Sequence, residues 1–214
     1  MTLVELMVAM FVLALVSTAA YQMLLAQARG AQTTKSIAEV SDNARLGFNR
    51  MVRDVREADL ISNVTWNPTV VPPVPNSFTI KVNYNGDATY SAGEILTYSF
   101  NPGAATVSLC LSNAAGVCSG TPEVFMEGVS VVSGYQAFDY ASNNLDWDWD
   151  GNGATTWVEV DDAVAHGITG VGDDDGALDG PEFPYLTKIH FALEVSDGEL
   201  ANSFVTTAQL RNRV

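Results

Sequence analysis

Twelve consecutive residues, Asp148-Trp-Asp-Gly-Asn-Gly-Ala-Thr-Thr-Trp-Val-Glu159, set oxygen-bearing side chains at intervals that suit a hard cation. The spacing is D-x-[DN]-x-[DN]-G-x5-E, that of a calcium loop. Ca²⁺ takes about six to eight oxygen ligands, and Asp148, Asp150 and Asn152 would supply several from one tight turn. Gly153 permits the sharp reversal, Ala154 offers its carbonyl, Thr156 sits where a water often bridges, and Glu159 can close the site bidentately. A strand-like run precedes the loop, so flanking helices are not expected. The plainer alternative is a solvated Asp/Gly-rich turn, which a chain with 25 acidic residues produces readily. Downstream, Asp173-Asp-Asp175-Gly-Ala-Leu-Asp179-Gly-Pro-Glu182 repeats the composition without a full ligand register. It reads as a solvated loop, with Asp173, Asp175 and Asp179 as its candidate calcium ligands.

Cys110 and Cys118 bracket Leu-Ser-Asn-Ala-Ala-Gly-Val. An isolated pair is too few for a four-ligand zinc site. The turn-forming interior suits a disulfide-stapled hairpin loop, which requires an oxidising compartment; two buried free thiols are the alternative. The chain has two histidines, His166 and His190, neither beside a nucleophile motif or in a metal-binding pair. His190 alternates within an apolar strand pattern, where a histidine satisfied inside a sheet is the commoner case. An enzyme is not expected. Charge is distributed unevenly: the stretch through Ser62 is neutral, so the net charge of −15 falls on the remainder. An acidic body of this kind repels nucleic acid, and no nucleic-acid partner is expected.

These residues sit behind a different kind of element. Apart from Glu5, residues 1–28 carry no charge. As a helix they would measure about 42 Å, enough to cross a bilayer. A signal peptide would have a basic n-region and a small-residue cleavage site, and neither is evident. An ordinary signal anchor would keep Arg29 and Lys35 on the cytoplasmic side, whereas a disulfide puts that side outside. The conflict resolves if a short basic leader preceded Met1 and has been removed. Glu5 is costly in lipid. It could snorkel to headgroups or serve as a first-turn acid favoured by the helix dipole. The sharper reading gives it a partner in the α-amino group of Met1 on a neighbouring copy.

Met-Thr-Leu-Val-Glu-Leu-Met-Val-Ala-Met resembles the start of mature type IV pilins and type II secretion pseudopilins, over about the first 25 residues. The resemblance implies a leader removed by prepilin peptidase, Met1 as an N-methylated terminus and Glu5 as the assembly glutamate. It also implies residence in the inner membrane beside an assembly machinery. Polymerisation with identical or related pilin subunits would follow, into an extracellular pilus or a periplasm-spanning pseudopilus. Gln22 stands where such proteins often carry a helix-breaking proline.

Helical spacing continues through Ile37, Val40, Ala44, Phe48, Met51, Val55 and Ala58, an apolar stripe suited to packing on a sheet. Between them Glu39, Asp42, Arg45, Arg50, Arg53, Asp54, Arg56 and Glu57 read as a solvated face. Val-Pro-Pro-Val-Pro-Asn, from Val71, reads as a stiff connector that no central strand tolerates. Strand-like runs follow at Phe78–Tyr84, Ile95–Phe100, Thr106–Leu111, Val124–Met126, Val129–Tyr140 with a break at Gly134, Lys188–Val195 and Ser203–Leu210, with a turn at Asp197-Gly198 before the last. The predicted fold is α+β: a long N-terminal helix packed on an antiparallel β-sheet head. Residues 1–28 would form the transmembrane or filament-core helix, 29–61 an amphipathic helix, and 62–214 the acidic head. The stem sequence Met51-Val-Arg-Asp-Val-Arg-Glu-Ala and the closing Leu210-Arg-Asn-Arg further resemble J-type minor pseudopilins and PilW-type minor pilins. The expected function is a structural filament subunit; the alternatives are a minor or tip subunit and a membrane-anchored extracellular binding protein.

Overall fold

A computed structural model of the chain describes residues 3–67, 74–87, 89–91, 93–113, 117–196 and 201–211. Met1, the Val71–Pro73 part of the connector, the Asp197-Gly198 turn, and Asn212 and Arg213 of the closing segment lie outside the described residues, as does the side chain of Ile37. Helix α1 spans Leu3–Glu57. The chain's contacts divide it into two compact units, with the boundary between Val40 and Ser41.

The first unit is helical. Leu3–Gln32 is long and apolar enough to cross a membrane, with a mean hydropathy of 2.3 and 0% of its apolar window buried. Leu3 (77%), Phe11 (66%) and Met23 (65%) are largely exposed. Such a surface could anchor in a membrane. Within that segment the Thr18 hydroxyl donates to the Ala14 carbonyl at 2.8 Å, and just beyond it the Thr34 hydroxyl donates to the Gly30 carbonyl at 2.9 Å. Both donors are thereby satisfied inside the helix.

The second unit joins the last part of α1 to two antiparallel sheets. The first sheet is a meander of β1 (Leu60–Asn67), β2 (Val74–Lys81), β3 (Ile95–Asn101), β4 (Thr106–Leu111) and β5 (Glu123–Glu127) in sequence order. The second contains β6 (Val129–Val131), β7 (Phe138–Ser142), β8 (Thr155–Thr156), β9 (Lys188–Ser196) and β10 (Ala201–Gln209). Its order is β10-β9-β7-β8, with β6 also paired to β9. Strands β6 and β7 lie along β9 in tandem, so they form one interrupted strand, broken near Gly134 at φ 85°. The chain changes sheet at Gly128, where φ is 68° and an added Cβ would meet the Ser196 carbonyl oxygen at 2.5 Å. A glycine is required there by both conformation and space.

Besides dividing the strands between two sheets, the structure departs from the sequence pattern in other places. Helix α1 ends at Glu57 and Leu60 opens a strand, so Leu60 and Ile61 belong to the sheet rather than to the amphipathic helix. The Pro75 segment is inside a central strand after all. Its β1 partner is Trp66, but pairing with β3 begins only at Ser77, so Pro75 owes no hydrogen bond to that side. Asp54 is not on a solvated face: it is 3% exposed and accepts a 2.6 Å hydrogen bond from the Tyr98 hydroxyl. Burial, together with this donation, holds the Tyr98 hydroxyl far above its ordinary range. Arg53 and Arg50 flank the same carboxylate at 3.1 and 3.9 Å.

Of the predicted stripe Ala44, Phe48, Met51, Val55 and Ala58 are buried, whereas Val40 is only half-buried. Phe48 meets Phe191 and Phe204 of the second sheet at centroid distances of 5.9 and 5.3 Å. Gly47 sits so close to Phe125 and Met126 of β5 that a Cβ would be within 2.8 Å of both side chains. The two sheets meet at Phe78, which is fully buried and contacts Tyr98, Phe138 and Phe191. Cys110 and Cys118 form a disulfide that closes the loop after β4. The Ser112–Cys118 bridge and the Asn113 N–H to Val117 carbonyl bond, at 2.9 Å, continue the pairing past it.

Candidate cation-binding loops

The two acidic loops meet one short helix, α2 (Trp157–Asp161). Trp157-Val-Glu-Val-Asp has the β-branched and aromatic composition of a strand. It turns helical because Thr156 and Glu159 form a capping box. The helix begins at the tenth position of the calcium-loop register, so a short exiting helix is present where none was expected. Val160 is fully buried and anchors it.

The first loop is held mostly by its own backbone. The Gly153 N–H donates to Asp148 Oδ2 at 3.0 Å, the Asn152 N–H to Asp150 Oδ1 at 2.9 Å, and the Ala154 N–H to Asn152 Oδ1 at 2.9 Å. Gly151 and Gly153 both take positive φ, as the reversal requires. Oxygens of Asp148, Asp150 and Glu159 lie within 4.8 Å of one another. Glu159, however, is 4% exposed and heavily engaged. Its Oε1 accepts from the Trp149 and Asp150 N–H groups at 2.7 and 3.4 Å, and its Oε2 from the Thr156 N–H and hydroxyl at 2.8 and 3.3 Å. A carboxylate has about four acceptor positions, so bidentate binding of an ion would displace donors already in place.

The second loop leaves acceptors open. Asp161, at the end of α2, is 1% exposed. Its Oδ1 accepts from the Asp174 and Asp175 N–H groups at 3.0 and 3.4 Å, and its Oδ2 from Gly176 at 2.9 Å. The approach depends on Gly172, where any Cβ would collide with the Val160 and Asp161 carbonyl oxygens. Val171, Leu178 and Leu186 are buried and fasten the loop at both ends. A 3₁₀ turn at Phe183–Tyr185 follows Glu182, which is fully buried. Glu182 Oε2 accepts the Asp179 N–H at 2.9 Å, while Oε1 has no hydrogen-bond partner. Burial pushes this carboxyl up to about 7, and the Asp179 and Asp173 charges add to the rise. Asp173 is also shifted upward, first by desolvation and then by Asp175, Asp179 and Asp161.

The structure thus brings Asp173, Asp175 and Asp179 together, as the sequence proposed, and adds Asp161 and Glu182. Asp161 is remote in sequence and offered no signal. Glu182 ended the acidic run but stood outside any ligand spacing. Of the histidines, His166 stacks on Trp149 at 3.7 Å, and His190 Nδ1 is 3.0 Å from the Thr207 hydroxyl across β9 and β10. Compared with known proteins, the chain matches no family model, no curated protein and no solved structure.

Proposed function

We propose that this chain is a structural subunit of a type IV pilus or a related filament, and that it polymerises through helix α1. The observation that carries the reading is the Leu3–Gln32 segment, an apolar helix with none of its apolar window buried and a single carboxylate, Glu5, near its start. Lipid would cover that surface before assembly, and the same segments of neighbouring copies would cover it afterwards. The acidic head would face solvent, where like charge keeps separate filaments apart. Electron microscopy of sheared surface material tests the proposal. Ordered fibres carrying this chain as their main component are the expected result. Trace incorporation would make it a minor or tip subunit, and its absence from any fibre would sink the filament reading.

Calcium in the loop from Asp148 to Glu159 belongs to the same proposal. Asp148, Asp150, Asn152 and the Ala154 carbonyl would be the principal ligands, with Thr156 reaching through water and Glu159 exchanging its backbone donors for the ion. Chelation is then expected to lower the melting temperature of the full-length protein in detergent. The double variant Asp148→Asn/Asp150→Asn should lose part of that calcium response. A response identical to that of the unsubstituted chain would exclude this loop.

A further inference from the structure

Five carboxylates converge where the 172–182 loop passes the end of α2. One oxygen each from Asp161, Asp173 and Glu182 lie within 4.8 Å of one another, and the same holds for Asp173, Asp175 and Asp179. Asp173 belongs to both groups, so the five form one connected set. None of the ion pairs among the described residues reaches them. An acidic cluster alone proves little, because solvent can screen it. What distinguishes this one is Glu182, wholly inaccessible, with Oε1 left without a donor and one of its carboxylate oxygens within 4.8 Å of oxygens of Asp161 and Asp173. A buried polar oxygen is normally hydrogen-bonded, and a buried charge is normally paired or bound to metal.

The partner that fits is a small cation. All the donors are carboxylate oxygens, with no imidazole or thiolate to favour zinc or copper. They come from a helix end, an irregular loop and a 3₁₀ turn, which suits the flexible geometry of calcium better than the near-octahedral demand of magnesium. We propose that Asp161, Asp173, Asp175, Asp179 and Glu182 form a calcium site that ties the 172–182 loop to α2. Asp161 has a double part: it accepts three loop N–H groups, which set the loop's path, and its one acceptor position left over would serve the ion. Glu182 supplies the buried ligand, and Asp175 and Asp179 close the solvent side. The proposal is independent of the filament reading, because its test measures a bound ion and not assembly.

The test is equilibrium dialysis of the full-length protein in detergent against calcium chloride, with the metal counted per chain. Glu182→Gln keeps the shape and removes the charge, and it should lose one calcium equivalent or bind that ion at least about 10-fold more weakly. Asp148→Asn/Asp150→Asn should retain this equivalent, which separates the two loops. Asp173→Asn, at an exposed position, should lose the same equivalent as Glu182→Gln and serves as the deciding variant if the latter does not fold. Wild-type calcium stoichiometry and affinity in either folded variant would overturn the site. Retention of magnesium in preference to calcium would overturn the choice of ion.

Discussion

Replacing Glu5 by alanine is expected to remove this chain from sheared filaments while leaving its amount in the membrane unchanged. The physical reason is the environment that assembly would create. Bundling apolar helices excludes water, and a carboxylate there must be neutralised or paired. The proposed partner is the α-amino group of Met1 on an adjacent copy, and the first turn of α1 places Glu5 at the matching end of the helix. Breaking a buried ion pair by removing one member costs about 3–5 kcal/mol. Incorporation is therefore expected to fall by at least ~100-fold. Glu5→Gln discriminates between charge and shape. If pairing is the device, the glutamine variant behaves like alanine. Filaments carrying Glu5→Gln at the unsubstituted level would show that charge at this position is dispensable.

The second large effect is predicted at Phe78→Ala. Phe78 is fully buried and stands between the sheets, stacked on Tyr98 at 5.3 Å and edge-on to Phe138 at 4.9 Å. Truncation removes the ring's transfer energy and opens a cavity that three other rings cannot collapse into without leaving their strands. The cost is about 3–5 kcal/mol, which for a protein of this size lowers the melting temperature by roughly 10 °C. Thermal denaturation of the full-length chain in detergent measures it. A drop smaller than about 3 °C would mean that the sheets do not depend on this contact for their docking.

The extent to which the fold was legible follows from how each element encodes itself. Helix α1 announced its apolar segment by unbroken hydrophobicity and its later stripe by spacing. Strands β3 and β4 and the β9–β10 pair were equally plain, because each is a run with β-branched or aromatic residues set off by turn-forming residues. Strand β1 was hidden by a bulge: Ile61 pairs with Ile80 and Asn63 with Thr79, so Ser62 is an extra residue that breaks the period. Helix α2 was hidden because a capping box decides its conformation against the preference of its residues. Two sheets instead of one could not be read, since a single glycine at position 128 turns the chain between them. The candidate site divides the same way. Local spacing found the loop from Asp148 to Glu159, whose candidate ligands are neighbours in sequence. The strongest acceptor geometry lies in the other loop, where Asp161 and Glu182 are 21 positions apart and meet only through the fold. Asp54 eluded the pattern because charge near a helix end resembles a solvated face until Tyr98 is brought against it.

That buried carboxylate has a mechanical corollary. Phe48, Met51 and Val55 hold the helix by apolar contacts, which fix its depth and rotation less sharply than a directional bond does. A displacement of one residue means about 1.5 Å of travel and about 100° of rotation. The 2.6 Å bond between Tyr98 and Asp54 tolerates neither. It works as an index pin, fixing both the depth and the angle at which residues 41–57 enter the head. Traction applied along residues 41–57 would load this bond together with the aromatic contacts of Phe48.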